Sequence, residues 1–186
     1  MALSREKILD TAFHLLNQYG LADLSMRRLA TELQVAPGAL YYHVKNKQEL
    51  LASLASRMVG HVYCEGPNPP AALVAGCNEL YEQLSPVNES AEVVRLALAF
   101  HPEDLAFITR ATELFEQLIP DSTTRDSSAP LAATTLLHVC LSLIEEEQTR
   151  ALLSGSSAPH YAPAPYQQAI RAVMSGWAHT PSLLLK

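Results

Sequence analysis

Cysteine is scarce in this chain, long apolar runs are missing, and no catalytic signature is present. Three cysteines, Cys64, Cys77 and Cys140, leave at least one unpaired and show no CxxC spacing. That favours a reducing compartment over a disulfide framework. No uninterrupted apolar run approaches the ~20 residues that span a bilayer, and the N-terminal MALSREKILD has no apolar signal core. The expectation is a soluble cytoplasmic protein with no membrane partner. There is no Gly-rich phosphate loop, no GxSxG, no HExxH and no carboxylate pair spaced for acid–base work. The chain therefore reads as a non-enzyme, the alternative being an all-helical enzyme with an unrecognised site. No strand alternation of useful length and no internal repeat occurs, so the fold class is all-α.

What is present is 186 residues, 48% hydrophobic and 17% charged, the composition of a globular protein. The net charge of −6 is unevenly spread. Residues 1–63 carry seven basic and five acidic side chains, and residues 64–186 carry six and fourteen. Such asymmetry suggests that only the first third faces an anionic partner.

Helical signals fill that first third. Ser4 can cap a helix with Glu6 in its first turn, and Ile8, Ala12, Leu15, Leu16 and Tyr19 share one face. Gly20 ends it. Ser25 can cap a short second helix with Leu29, Ala30 and Leu33 inward. After Gln34-Val35-Ala36, Pro37 opens a third. Asn46 and Glu49 resemble a capping box that starts a fourth helix over 47–63, with Leu50, Leu51, Leu54, Met58 and Val62 in one stripe. GPNPP at 66–70 is a turn or linker. Further helices are expected at about 71–84, 89–100, 103–119, 130–154 and 164–178, with a polar DSTTRDSS loop at 121–128. The expected domains are 1–46, a connecting helix 47–63, and 64–186.

The first three helices have helix-turn-helix spacing. On the third, Leu40 and Val44 point inward. Gly38, Tyr42 and Lys45 then point outward, flanked by Ala39, Tyr41 and His43. The face has small residues where a backbone could approach DNA and donors where side chains could reach it. Lys47 sits at a helix N-terminus, which suits phosphate, and Arg27 and Arg28 open the second helix in the same way. From the residues alone, DNA binding and a solvated helical pair with incidental aromatics both remain open.

The segment LSREKILDTAFHLLNQYGLADLSMRRLATELQVAPGALYYHVKNKQELLASL resembles the DNA-binding domain of TetR-family transcriptional repressors. LYYHVKNKQELL is similar to the family's recognition helix and the start of its fourth helix, and GLADLSMRRLA to its second. The resemblance implies double-stranded operator DNA as partner. By position, Pro37, Gly38, Ala39, Tyr42 and His43 would meet bases or nearby phosphates. Tyr41 would brace the helix or touch phosphate, and Ser25, Arg27 and Lys47 would hold the backbone. Gln34 departs from the family pattern, which often has glycine in the turn.

The remainder resembles the family's ligand-binding and dimerisation domain. Residues 131–144 are apolar on almost every face, so burial on all sides is expected. Ile170, Val173, Met174 and Trp177 form a second stripe. A homodimer through 130–154 and 164–178 follows, the alternative being a monomer with a central buried helix. The expected effector is small and mostly apolar, with no cofactor. Its candidate contacts are Met58, His61, Asn78, Tyr81, Arg95, Phe100, His101, Phe107, Arg110, Phe115 and His138. His61 with Cys64 and His138 with Cys140 raise metal sensing as an alternative, at spacings that match no strong ligand pattern. A constitutive repressor of the same fold is the other.

Overall fold

Ser4 is extended, and its hydroxyl accepts the Lys7 N–H at 3.2 Å. That cap opens α1, Arg5–Tyr19. A computed structural model describes the protein over residues 3–119, 125–156 and 162–179. Among these, every regular element is helical.

Helix α1 buries Ile8, Ala12, Leu15 and Leu16 as expected. Tyr19 instead is 43% exposed, and its ring carries the Arg28 guanidinium 4.1 Å from the centroid. Gly20, at φ +80°, ends the helix by donating to the Leu16 carbonyl at 2.8 Å. Ser25 caps α2, Met26–Glu32, by accepting the Arg28 N–H. Gln34 then enters the left-handed region at φ +56°. Its N–H reaches Thr31 O, and the Val35 N–H reaches Ala30 O at 3.0 Å. This is the Schellman closure, made with glutamine where glycine is usual. Helix α3, Pro37–Tyr41, is shorter than the outward face read from the sequence, so Tyr42 and His43 lie on its closing turn.

Asn46 caps α4, Lys47–Val59, by accepting the Glu49 N–H at 2.8 Å. Glu49 returns its carboxylate to the Lys45 N–H at 2.9 Å, one residue earlier than the expected capping box. The expected helix to 63 stops at Val59. Gly60 follows, and the connector that leads on includes Cys64 at φ +49°. Its buried thiol fills the space over Gly76, where a Cβ would overlap Cys64 Sγ. Helix α5, Pro69–Leu84, begins on the Asn68 cap, with Pro69 and Pro70 in its first turn. Next come α6, Ser90–Phe100, and α7, Ala106–Leu118. The expected 103–119 helix is interrupted: Pro102–Asp104 make a separate 3-10 turn. Helix α8, Arg125–Ser154, starts upstream of the expected position and runs through Pro130. Residues 121–124 of the expected loop lie outside the described residues. Helix α9 is Ala164–His179.

Helix α4 lies along α6, α7 packs on α5 and α8, and α9 on α5 and α8. One apolar cluster runs from Ile8 and Leu29 of the first helices through Leu54 to Phe107, Phe115, Leu137 and Ile170. Each fully buried leucine-sized side chain contributes about 1.5–3 kcal/mol relative to exposure. Ser128–Ser154 is, by length and composition, apolar enough to cross a membrane. Its Ala132, Ala133, Leu136, Leu137, Cys140, Leu141 and Ile144 are instead buried in this core. The all-round burial expected for 131–144 is not complete within one chain. Leu131 is 55% exposed, Val139 and Leu143 are half-buried, and His138 and Ser142 face outward.

Candidate nucleic-acid interface

The third helix is anchored by two side chains. Leu40 and Val44 are fully buried, and both the His43 and Val44 N–H groups donate to Leu40 O at 2.9 Å. That fixes what the opposite side presents. Pro37, Gly38, Ala39, Tyr41 and Lys45 are exposed and His43 half-exposed. Tyr42 is 89% exposed, with its ring edge-on to His43 at 5.2 Å between centroids. No atom lies within 4 Å of where a Cβ would stand on Gly38. The surface is open, backbone-accessible at Gly38, and rimmed by two phenols and an imidazole.

The flanking cations are held unequally. Arg27 is exposed. Arg28 donates to Asp23 at 2.7 Å and stacks over Tyr19, so two partners fix its direction. Sequence reasoning missed these partners; the signal was local, an aspartate five residues ahead of an arginine. Lys47 donates from Nζ to Leu21 O at 3.3 Å and is half-buried at the start of α4. The free N–H groups and positive end of a helix add to such a charge. Ser25 commits its hydroxyl to the α2 cap. The predicted DNA-contacting residues lie on α2 and its cap, on α3 and the turn that follows it, and at the first residue of α4, with α2 and α3 packed on each other.

The predicted effector contacts are distributed. Tyr81, Phe107 and Phe115 are core, and Met58 is buried. His61 and His101 share a cleft of about 840 Å³ with Arg5, Ser53 and Arg57, between the N-terminal helices and the α6–α7 turn. Asn78 lines a second cleft, about 680 Å³, with Val74, Leu118, Arg171 and Met174. Arg110 pairs with Glu113 at 2.8 Å beside a third. Arg95 is held by Glu145 at 2.7 Å and Glu92 at 2.6 Å, which keep it charged. Phe100 and His138 are exposed. Among the described residues, Asn78 Oδ1 and Tyr81 Oη are buried with no hydrogen-bond partner.

The histidine–cysteine pairs do not converge. His61 and His138 face solvent, whereas Cys64 and Cys140 are buried. Burial pushes the Cys64 thiol up to about 12, and Cys77 is raised well above its ordinary value for the same reason. Among the described residues no group of three or more His, Cys, Asp or Glu is placed to hold a metal.

Residues 8–54 match the family described as bacterial regulatory proteins, tetR family. The tetracycline repressor protein class D of Escherichia coli is 29% identical over 162 residues, covering 84% of this chain and 73% of that one. Among solved structures, BioQ with its double-stranded DNA operator is 27% identical, with a TM-score of 0.78 over 96% of this chain and 100% of that one. ActR of Streptomyces coelicolor, in complex with (S)-DNPA, shares the fold at 18% identity, with a TM-score of 0.75 over 96% and 98%. Residues 8–54 thus carry the N-terminal helix-turn-helix of the tetR family of bacterial regulatory proteins, and the whole chain, with its helical C-terminal domain, is similar in sequence and fold to TetR-family transcriptional regulators.

Proposed function

We propose that the protein is a cytoplasmic homodimeric repressor that reads an inverted-repeat operator and is released by a small, largely apolar effector. Residues 1–46 form the reading head, α4 and its connector through residue 63 transmit, and 64–186 dimerise and bind effector. The observation that carries DNA reading is the uncovered face of α3. Leu40 and Val44 hold the helix by one side only, and the other presents Gly38 and an almost fully exposed Tyr42. Lys47, Arg27 and Ser25 border it and supply phosphate contacts. The acidic remainder has no use against DNA. The exposed Leu131 and the half-buried Val139, Leu143, Val173 and Trp177 on α8 and α9 support a second copy as the cover for that side. A two-fold dimer presents two reading heads and so requires a palindromic site. The effector reading is supported by a relative named for tetracycline that aligns over most of the C-terminal helices.

The test is binding to inverted repeats from the flanking promoter region. Tyr42→Ala and Lys47→Ala should each weaken binding about tenfold or more without changing the melting temperature by more than a few degrees. Lys47→Ala should also lower the salt slope by roughly one unit of log K per log salt for each phosphate it no longer neutralises. If both variants bind as tightly as the wild type, with the wild-type slope, this surface is not the reader.

A further inference from the structure

The reading head meets the C-terminal helices at a place other than α4. The turn between α5 and α6 lies against the turn between α1 and α2. The Leu21 N–H donates to Glu89 Oε2, and the Asn88 N–H donates to Asn17 Oδ1 at 3.0 Å. The Glu89 carboxylate comes so close to Gly20 that a Cβ there would stand 3.0 Å from Oε1. Glu89 itself holds a left-handed φ of +53°, yet its side chain does not cap α6. A glutamate in that conformation is uncommon, and here the conformation delivers the carboxylate to another part of the fold.

The turn is gripped from behind. Gln148 of α8 donates from Nε2 to Val87 O at 2.7 Å and Leu84 O at 3.0 Å, with Ser85 O and Ser90 Oγ each at 3.3 Å. Ser90 Oγ donates in turn to Leu84 O at 2.7 Å. On the far side of the contact, Leu21 uses its N–H for Glu89 and its carbonyl for Lys47 Nζ. A chain of hydrogen bonds therefore runs from α8 through the 85–89 turn and Leu21 to the first residue of α4, without following α4 itself. One helical connection leaves a head free to roll about the helix axis. A second, off-axis contact removes that freedom, and a carboxylate accepting a backbone N–H is among the stronger hydrogen bonds available for it.

We propose that Glu89 is a positioning residue for DNA recognition: held through Gln148, it clamps the α1–α2 turn and fixes the angle at which α2 and α3 meet the duplex. This deepens the function proposed above and rests on its dimeric reading. Glu89 is exposed, and its carboxylate reaches Leu21 and Gly20, neither of them assigned to DNA, so its effect is one of geometry and not of contact.

The experiment measures operator affinity for the wild type, Glu89→Ala, Glu89→Gln and Asn17→Ala. Each is tested on the native inverted repeat and on repeats with one base pair added or removed between half-sites, at several salt concentrations. Glu89→Ala should bind the native operator about tenfold more weakly and discriminate less against altered spacing, at the wild-type salt slope, because every phosphate partner is kept. Glu89→Gln should recover most of both, since its amide oxygen still accepts the Leu21 N–H. Asn17→Ala, which weakens the same contact from the last turn of α1, should move in the direction of Glu89→Ala even if that variant folds poorly. A merely structural role would lower stability and affinity together while leaving spacing discrimination intact. If Glu89→Ala and Asn17→Ala both discriminate spacing as the wild type does, the proposal is overturned and the dimeric reading stands. If the wild type itself ignores spacing, the dimeric reading fails and takes the proposal with it.

Discussion

Gln34 occupies a position that the chain's geometry would give to glycine. Its left-handed φ of +56° closes α2 through the Val35 N–H to Ala30 O bond. A side chain with a Cβ is disfavoured there by roughly 1–2 kcal/mol. Glycine would remove that cost but would loosen the unfolded chain, which offsets part of the benefit. Gln34→Gly should therefore raise stability by about 0.5–1 kcal/mol, or roughly 1–4 °C in melting temperature for a chain of this size. Thermal denaturation of the two proteins checks it; an unchanged or lower midpoint would mean that the Gln34 side chain makes contacts that relieve the strain. The caps at Ser4, Ser25 and Asn46 were legible in the sequence because a cap is decided within four residues. The stacking of Arg28 on Tyr19 was not legible, because Arg28 is aimed by Asp23. Likewise, the outward face of α3 could be read from Leu40 and Val44 by helical period alone. That Ser25 spends its oxygen accepting the Arg28 N–H as a cap, which leaves the hydroxyl proton to donate to a phosphate, needed coordinates.

Periodicity placed each of the helices from α5 to α9 within a few residues, since each buries a continuous stripe. The errors fall where local signals compete. Val62 fits the stripe of α4 and is buried, yet the helix has already ended at Val59. Pro130 reads as a helix start but lies inside α8. The connector after α4 is pinned by a contact that no pattern reveals: the Cys64 side chain on Gly76 of α5. Gly76→Ala should force that connector away and cost about 1–3 kcal/mol, as overpacking of a close-packed interior does. Cys64→Ala in the same chain should recover a large part of the loss. The recovery is incomplete because the Cys64 Cβ and Cα would still lie 3.1 and 3.2 Å from the new methyl. A double-mutant cycle with urea unfolding measures this coupling. Additivity of the two substitutions would show that the thiol and Gly76 do not meet in solution.

Across the whole molecule, the proposed effector and the operator act on one body through α4 and the 85–89 turn. Helix α4 is 13 residues long, about 20 Å at 1.5 Å per residue. One end starts beside the reading surface, and the other reaches Arg57, on the cleft shared by His61 and His101. A small tilt at that end displaces the recognition helix, and two such helices must match roughly 34 Å of duplex. A ligand releases the operator only by preferring the tilted state: a tenfold loss of DNA affinity needs about 1.4 kcal/mol of preference. Linkage makes this reciprocal, so saturating operator must weaken the same ligand tenfold. The matching measurement is calorimetric titration of a releasing compound, found by thermal shift, into the free protein and into the protein–operator complex. Equal factors in both directions are expected. The outward charge variant Leu143→Glu, on the half-buried rim of α8, should sediment as a monomer. It should bind the compound with little change while losing operator affinity and the coupling together. A compound that weakens DNA binding while its own affinity for the protein ignores the operator would be acting on the DNA and not as an effector of the protein, and a monomeric wild type at micromolar concentration would remove the paired recognition helices on which the lever depends.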